Sequence, residues 1–296
     1  MDPIVFVFGF MISLSFGTSD FLSKGVTARI SAYKITVYIL TVSGVITLFP
    51  GLFLKSSFTV TLPSVLLLVF IAVTTYLSFA ALYRAYSRGM LSLTAPIANS
   101  YPAFSTLLSV LLIGASFSLS SIAALITVVV GIFLVSTSFS DLRTRLFSRG
   151  KSLAPGVGSA IVAAIFFGTS WTAFGYASQT FGFLLPAIAI RLGAAAVGFG
   201  LAPILKQDVR PVFVGSLPRL SIMAALEAAG AILFSVAAIA SSSPDAIPIL
   251  STFSGISAAF TVCLAIIFLK ERLELNHILG ILMLIGGVVV LLYLTG

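Results

Sequence analysis

The chain has 296 residues, of which 59% are hydrophobic and 8% charged, and its mean hydropathy is +1.20. A water-soluble globule normally carries about 25% charged residues, so this composition excludes one and makes the bilayer the solvent. The formal charge of +8 does not point to nucleic acid, because the sixteen Lys and Arg are scattered between apolar runs, and one Cys (Cys263) with one His (His277) gives no disulfide and no expected metal or cofactor site.

A helix rises 1.5 Å per residue, so about twenty apolar residues cross about 30 Å of hydrocarbon. Stretches of that kind begin near Pro3, Tyr33, Leu62, Met90, Ser118, Pro155, Phe183, Leu217, Pro244 and Leu275. The fold class is therefore an all-α membrane protein of about ten transmembrane helices. Met1 to Ser23 lacks a basic leader and reads as a first helix rather than a cleaved signal peptide. That helix carries Phe16-Gly17-Thr18-Ser19, with Asp20 next to it, and the fourth span carries Pro96-Ile97 ahead of Asn99, Ser100, Tyr101 and Pro102. The fifth closes with an Ile, Leu and Val-rich string ending at Val135, and the basic stretch Asp141 to Ser152 follows.

The same signals then return in order. Phe167-Gly168-Thr169-Ser170 stands in the sixth span, 151 residues after the first copy, with Trp171 and Tyr176 behind it. Arg191 and Glu227 lie inside the seventh and eighth spans. Pro248-Ile249 precedes Ser251, Thr252, Phe253 and Ser254 in the ninth, and the tenth closes with a second Ile, Leu and Gly-rich string ending at Leu291. Three matches at nearly one spacing mark a duplication: residues 1–140 form one five-helix repeat, 141–152 a basic linker and 153–296 the second repeat. An odd helix count makes the second copy enter from the opposite side, so the repeats are inverted. Lys24, Arg29, Lys34, Arg84, Arg88, the four basic linker residues, Lys206, Arg210, Arg219, Lys270 and Arg272 fall on one side, and Lys55 lies alone in a loop on the other. The positive-inside rule then puts the basic loops and linker in the cytoplasm and both termini outside, in a cell (inner or plasma) membrane.

Ionisable groups inside a span cost about 2.5 to 3.5 kcal/mol on insertion scales and demand a partner, a wet cavity or a task. Glu227, among small residues near the middle of the eighth span, and Arg191, about 12 Å into the seventh, meet that condition best. The readings are a structural pair, an Arg191 that snorkels to the interface, or a substrate site in which Glu227 takes a proton or an ammonium group and Arg191 holds a carboxylate or phosphate. Asp20, at the end of the first span and near the cytoplasmic interface, is either a second proton carrier or a partner of Lys24 at helical spacing. Asn99 and Tyr101 in the fourth span and Ser251 and Phe253 in the ninth occupy corresponding places after the repeated Pro-Ile, where paired kinked helices would line a substrate cavity. Trp171 serves as an aromatic wall of that cavity, as an interfacial anchor or as packing. Arg84 and Arg88 share one helix face and read first as topology signals, with anion binding second. Asp245 reads as an ordinary cap, and Gly280, Gly286 and Gly287 as packing positions.

The string from Phe268 to Tyr293, FLKERLELNHILGILMLIGGVVVLLY, resembles the end of the second repeat in the drug/metabolite transporter superfamily, in its EamA-like ten-helix members. The two halves and the repeated Phe-Gly-Thr-Ser extend the resemblance over essentially the whole chain. Glu271 matches the family's glutamate at the ninth-to-tenth turn, whereas the first half reads Gly114-Ala115-Ser116-Phe117 and lacks the acid; a structural role is expected for Glu271. The resemblance implies a carrier with a central cavity and alternating openings, often an exporter of amino acids, other metabolites or toxic compounds. No GxxxxGK[ST] loop is present, so coupling, where it exists, comes from an ion gradient, with Glu227 and Asp20 as the candidate proton carriers. The expectation is a secondary transporter of small metabolites, acting as a monomer in the lipid bilayer. A passive facilitator or channel and a lipid flippase are the alternatives, and sugar or drug carriage falls within the same fold. A lipid-modifying enzyme is disfavoured, because the loops are too short and too poor in acids for a catalytic cluster.

Overall fold

Hydrocarbon offers no hydrogen-bonding partner, so each apolar stretch satisfies its backbone internally by forming a helix. The computed structural model describes residues 3–23, 25–27, 29–51, 53, 61–89, 91–116, 118–136, 155–209, 214–241, 243–269 and 275–295. The linker at 141–152, Lys24 and Glu271 lie outside them. The helices of the first repeat are α1 (Pro3–Ser23), α2 (Ala32–Gly51), α3 (Leu62–Arg88), a fourth span split into α4 (Leu91–Ala98) and α5 (Tyr101–Leu108), and α6 (Leu119–Ser136). The second repeat has α7 (Val157–Phe181), a seventh span made of α8 (Leu184–Ile188) and α9 (Ala194–Leu201), α10 (Leu217–Ser241), α11 (Ala246–Leu269) and α12 (Leu275–Thr295). By length and composition α1, α2, α3, α7, the α8–α9 run and α10 are each able to cross a membrane, and shorter apolar runs occupy Tyr101–Ile113, Leu119–Gly131 and Ala246–Thr261. The described residues contain no strand.

Burial runs in the sense a membrane protein requires. Large apolar side chains face outward, with Val69 and Phe70 of α3 at 53% and 46% exposure, while Ala160, Ala163, Ala224 and Ala228 are sealed between helices. Small side chains let backbones approach closely, which is how helices associate when lipid removes the hydrophobic drive between them. The contacts cross between repeats. Helix α1 packs on α10 and α11, α7 packs on α3 and on α4 and α5, α2 packs on the α8–α9 run, and α6 packs on α12. Each contact has its counterpart with the repeats exchanged, the arrangement that two oppositely inserted copies produce.

The Phe-Gly-Thr-Ser motif does the same work in both copies. A Cβ on Gly17 would lie 2.5 Å from Phe260 Cβ and 2.6 Å from the Ser257 carbonyl oxygen; on Gly168 it would lie 2.5 Å from Phe104 Cβ and 2.9 Å from the Tyr101 carbonyl oxygen. Each glycine thus seats one repeat's first helix against the other repeat's fourth. Thr18 and Thr169 return their hydroxyls to the Leu14 and Ile165 carbonyls at 2.8 Å, and Ser19 and Ser170 turn inward.

The fourth and ninth spans were expected to kink alike, and they do not. The fourth breaks at Asn99 and Ser100 because Pro102, in the first turn of α5, has no N–H to donate and its ring excludes the carbonyl four residues back. The corresponding residue of the ninth span is Ser254, whose hydroxyl donates to the Leu250 carbonyl oxygen at 2.8 Å, and Pro248 falls in the first turn of α11, where an N–H is not required. Helix α11 therefore runs unbroken.

The glycine seats carry a prediction. Gly17→Ala and Gly168→Ala each force backbone-level overlap and should lower stability by about 1 to 3 kcal/mol. Thermal unfolding in detergent should show the lower midpoints, and Gly286→Ala, where a Cβ meets nothing within 4 Å, should leave the midpoint unchanged.

Candidate functional site

The two repeats enclose a small cavity of about 30 Å³ between α1, α3, the α4–α5 break, α7, α10 and α11. Its polar side is Asp20, Asn99, Tyr101, Glu227 and Ser257, and its aromatic side includes Phe16, Phe79, Phe167 and Trp171. A space of this size holds about one or two waters, so the helices leave little free room at this point.

Asp20 comes from α1, and its neighbours come from three other helices. Asn99 Nδ2 donates to Asp20 Oδ2 at 3.5 Å, and Ser257 Oγ donates to Asn99 Oδ1 at 3.4 Å. The helix break frees Asn99 to reach both. The Tyr86 hydroxyl stands beside Asp20 and Asn99 without closing a well-formed hydrogen bond to either. Asp20 was expected near the cytoplasmic interface; instead it is 8% exposed, inside the protein and facing Glu227.

Glu227 lies in the middle of α10, with the Ser19 hydroxyl beside it. Arg191 approaches it from the seventh span, where the backbone widens into a π-turn over Ala189–Gly193. Arg191 Nη2 donates to the Glu227 carbonyl oxygen at 2.8 Å and to Glu227 Oε2 at 3.3 Å. The guanidinium carbon lies 5.3 Å from the Phe79 ring centroid, within cation–π range. Arg191 is fully buried, and its Nε and Nη1 have no hydrogen-bond partner among the described residues. Phe79 and Glu227 both line the cavity, so Arg191 stands one layer behind its wall.

The aromatic side is made of two groups of touching rings. Phe16 and Trp171 are 5.5 Å apart between ring centroids, Phe79 and Phe167 5.2 Å, and Tyr101 and Phe167 5.6 Å. Phe16 and Phe167 are the first residues of the two motif copies, and Asp20 and Trp171 are the residues that follow them. One scaffold position thus carries an acid in the first repeat and an indole in the second.

Of the residues singled out in the sequence, the structure gathers Asp20, Asn99, Tyr101, Trp171 and Glu227 on the cavity wall. Arg191 joins them only through Glu227. Ser251 and Phe253 are corrections, since neither lines this cavity. Ser251 accepts a hydrogen bond from Ser105 at 2.8 Å in a buried hydroxyl cluster with Thr172, and the Phe253 ring packs on Gly9 and Phe6. Their places on an unbroken α11 turn them away, and Ser257, nearer the middle of the helix, faces inward instead. Asp245 does more than cap, because its Oδ1 accepts from the Ser116 N–H at 2.9 Å and ties the two repeats together. Ser19, Ser257, Phe16, Phe79 and Phe167 were missed as site residues; the motif repeat signalled Phe16, Ser19 and Phe167, while Phe79 and Ser257 have no local signature. Among the described residues no cluster of three His, Cys, Asp or Glu forms a metal-binding group.

No curated protein matches the chain. A solved crystal structure superposes on 98% of this chain and 96% of its own with a TM-score of 0.71 at 14% identity, a likeness of fold alone. The model of the EamA-like transporter family matches twice, at residues 3–137 and 154–293. With nearly its whole length accounted for by these two matches, the chain belongs to the EamA-like transporter family of the drug/metabolite transporter superfamily, whose members move small solutes through membranes and are not enzymes.

Proposed function

We propose that this protein exports amino acids or related small metabolites from the cell by alternating access, with proton movement coupled through Glu227 and Asp20. The observation that carries this reading is the meeting of two carboxyl groups, one from each repeat, at a single small cavity. Buried acids in a span are costly and are retained where ions or substrates pass. Asn99, Tyr101 and Trp171 are the proposed substrate contacts, with a zwitterion's ammonium toward the acids and its apolar part against the aromatic side. Arg191 is a positioning residue that holds the Glu227 carboxylate. Residues 141–152 are the proposed cytoplasmic linker between the repeats. One chain supplies both halves of the cavity, which supports action as a monomer in the cell membrane.

Proteoliposomes carrying labelled amino acids test the reading. Movement stimulated by an imposed pH gradient should fall at least about tenfold in Glu227→Gln and in Asp20→Asn, since removing an ionisable carrier removes the coupled step. Gradient-independent movement that both variants retain would instead support the passive facilitator, in which the acids serve packing. Arg191→Met should destabilise the protein by about 3 to 5 kcal/mol, because it strands a buried carboxylate. The double variant with Glu227→Gln should regain most of that stability without regaining gradient-driven transport, which separates the structural share of the pair from its part in coupling. A phosphatase reporter that folds only outside the cytoplasm should be active when fused after residue 296; an inactive fusion would reverse the proposed orientation.

A further inference from the structure

A second and larger space lies at the basic end of the bundle. It is a crevice of about 720 Å³ formed by the start of α2, the end of α3, the start of α7 and the end of α9 with the turn after it. It shares no lining residue with the small central cavity. Two faces of α3 serve the two spaces: Leu77, Ala81, Arg84 and Arg88, spaced like one helical face, look into the crevice, while Phe79 and Leu82 look into the cavity.

The chemistry of the crevice is two-sided. Arg84 and Arg88 are its charged residues and both are exposed; none of the lining residues is acidic. The neighbouring acid, Asp208, is engaged with Lys34 at 2.7 Å. The rest of the wall presents mostly apolar surface, from alkyl side chains with Tyr33 and Tyr76, and it does not end at the crevice. Val162 and Leu205, which line it, are 42% and 50% exposed and continue onto the lipid-facing surface. A soluble anion would gain from the arginines but leave this apolar surface wet. A molecule with a phosphate at one end and a chain at the other satisfies both, and basic clefts between helix ends at the cytoplasmic face are favourable sites for anionic lipid headgroups.

We infer that this crevice is a binding site for one anionic phospholipid, with its phosphate held by Arg84 and Arg88 and an acyl chain passing over Leu77, Val162 and Leu205 into the bilayer. The site assigns the two arginines a ligand beyond their share in orienting the chain. It does not depend on the proposed transport activity, because the crevice and the cavity are separate.

The test uses the full-length protein in detergent, offered phosphatidylglycerol and phosphatidylcholine with the same acyl chains, and reads bound lipid by native mass spectrometry. Wild type should retain phosphatidylglycerol roughly twenty-five-fold better, about fivefold for each arginine. Arg84→Gln with Arg88→Gln should bring the two lipids to near-equal retention, while Arg84→Lys with Arg88→Lys should keep most of the preference. Equal retention by wild type overturns the inference, as does an unchanged preference in the double glutamine variant. Release of phosphatidylglycerol from wild type by millimolar inorganic phosphate also overturns it, since the crevice would then be a site for a free anion rather than for a lipid.

Discussion

Hydrocarbon accepts no hydrogen bonds, and the whole arrangement follows from where this chain puts the groups that need them. On the lipid-facing side, hydroxyls are returned to their own helix: Thr18, Thr169 and Thr180 each bond the carbonyl four residues back. The groups that cannot be hidden this way are the carboxyls of Asp20 and Glu227, the Arg191 guanidinium and the Asn99 amide. All of them lie on the seam between the repeats, where each finds a partner from another helix. The seam is therefore both the place where the polar groups are tolerated and the place where the two halves are joined. Glycines 17 and 168 make that joint close enough for the partners to meet.

The seam is built by a two-fold repetition and then made unsymmetrical by single residues. Pro102 opens the fourth span at the point where Ser254 leaves the ninth closed, which sends Asn99 into the cavity and Ser251 away from it. Asp20 and Trp171 follow the same motif, so one end of the cavity is anionic and the other aromatic. The π-turn at Ala189–Gly193 has no counterpart in α2 and coincides with Arg191, the one buried arginine among the described residues. A repeated scaffold gives two similar halves; a recognition site needs different chemistry on its sides, and these three departures from symmetry supply it.

Helix number and repetition were legible in the sequence because hydropathy and motif order are properties of the chain alone. The site was legible only where an expensive residue announced itself. Glu227 and Arg191 stood out by their cost in a span, and the structure joins them. The burial of Asp20 cannot be counted from the end of its own helix: α1 stops three residues later at Ser23, yet Asn99 and Tyr86 from other spans cover the carboxyl. Ser251 and Phe253 were drawn in by symmetry with Asn99 and Tyr101, and symmetry failed at one proline. Phe79 and Ser257 are ordinary residues for apolar helices, and only the packing of α3 and α11 gives them a place on the wall.

The small cavity bears on how such a seam would work. About 30 Å³ is too little for an amino acid, so binding has to be accompanied by separation of helices along the joint. The joint has no continuous bonded structure to resist this. It consists of glycine contacts and hydrogen bonds such as Ser105 with Thr172, Ser257 with Asn99 and Thr261 with the Gly17 carbonyl oxygen, and beside it, within the second repeat, lies the buried Arg191–Glu227 pair, two of whose guanidinium nitrogens have no hydrogen-bond partner among the described residues. A conformation that exposes this cluster to water on one side relieves the desolvation of its charged groups, and a ligand shifts the balance only by binding one conformation better than the other. In the proposed carrier, a substrate ammonium or a proton arriving at Asp20 and Glu227 would offset the excess negative charge that Arg191 alone leaves, favouring closure around the occupied site. The unequal count of two acids to one arginine is thus what would allow occupancy of the cavity, rather than its shape alone, to decide which packing of the two repeats prevails.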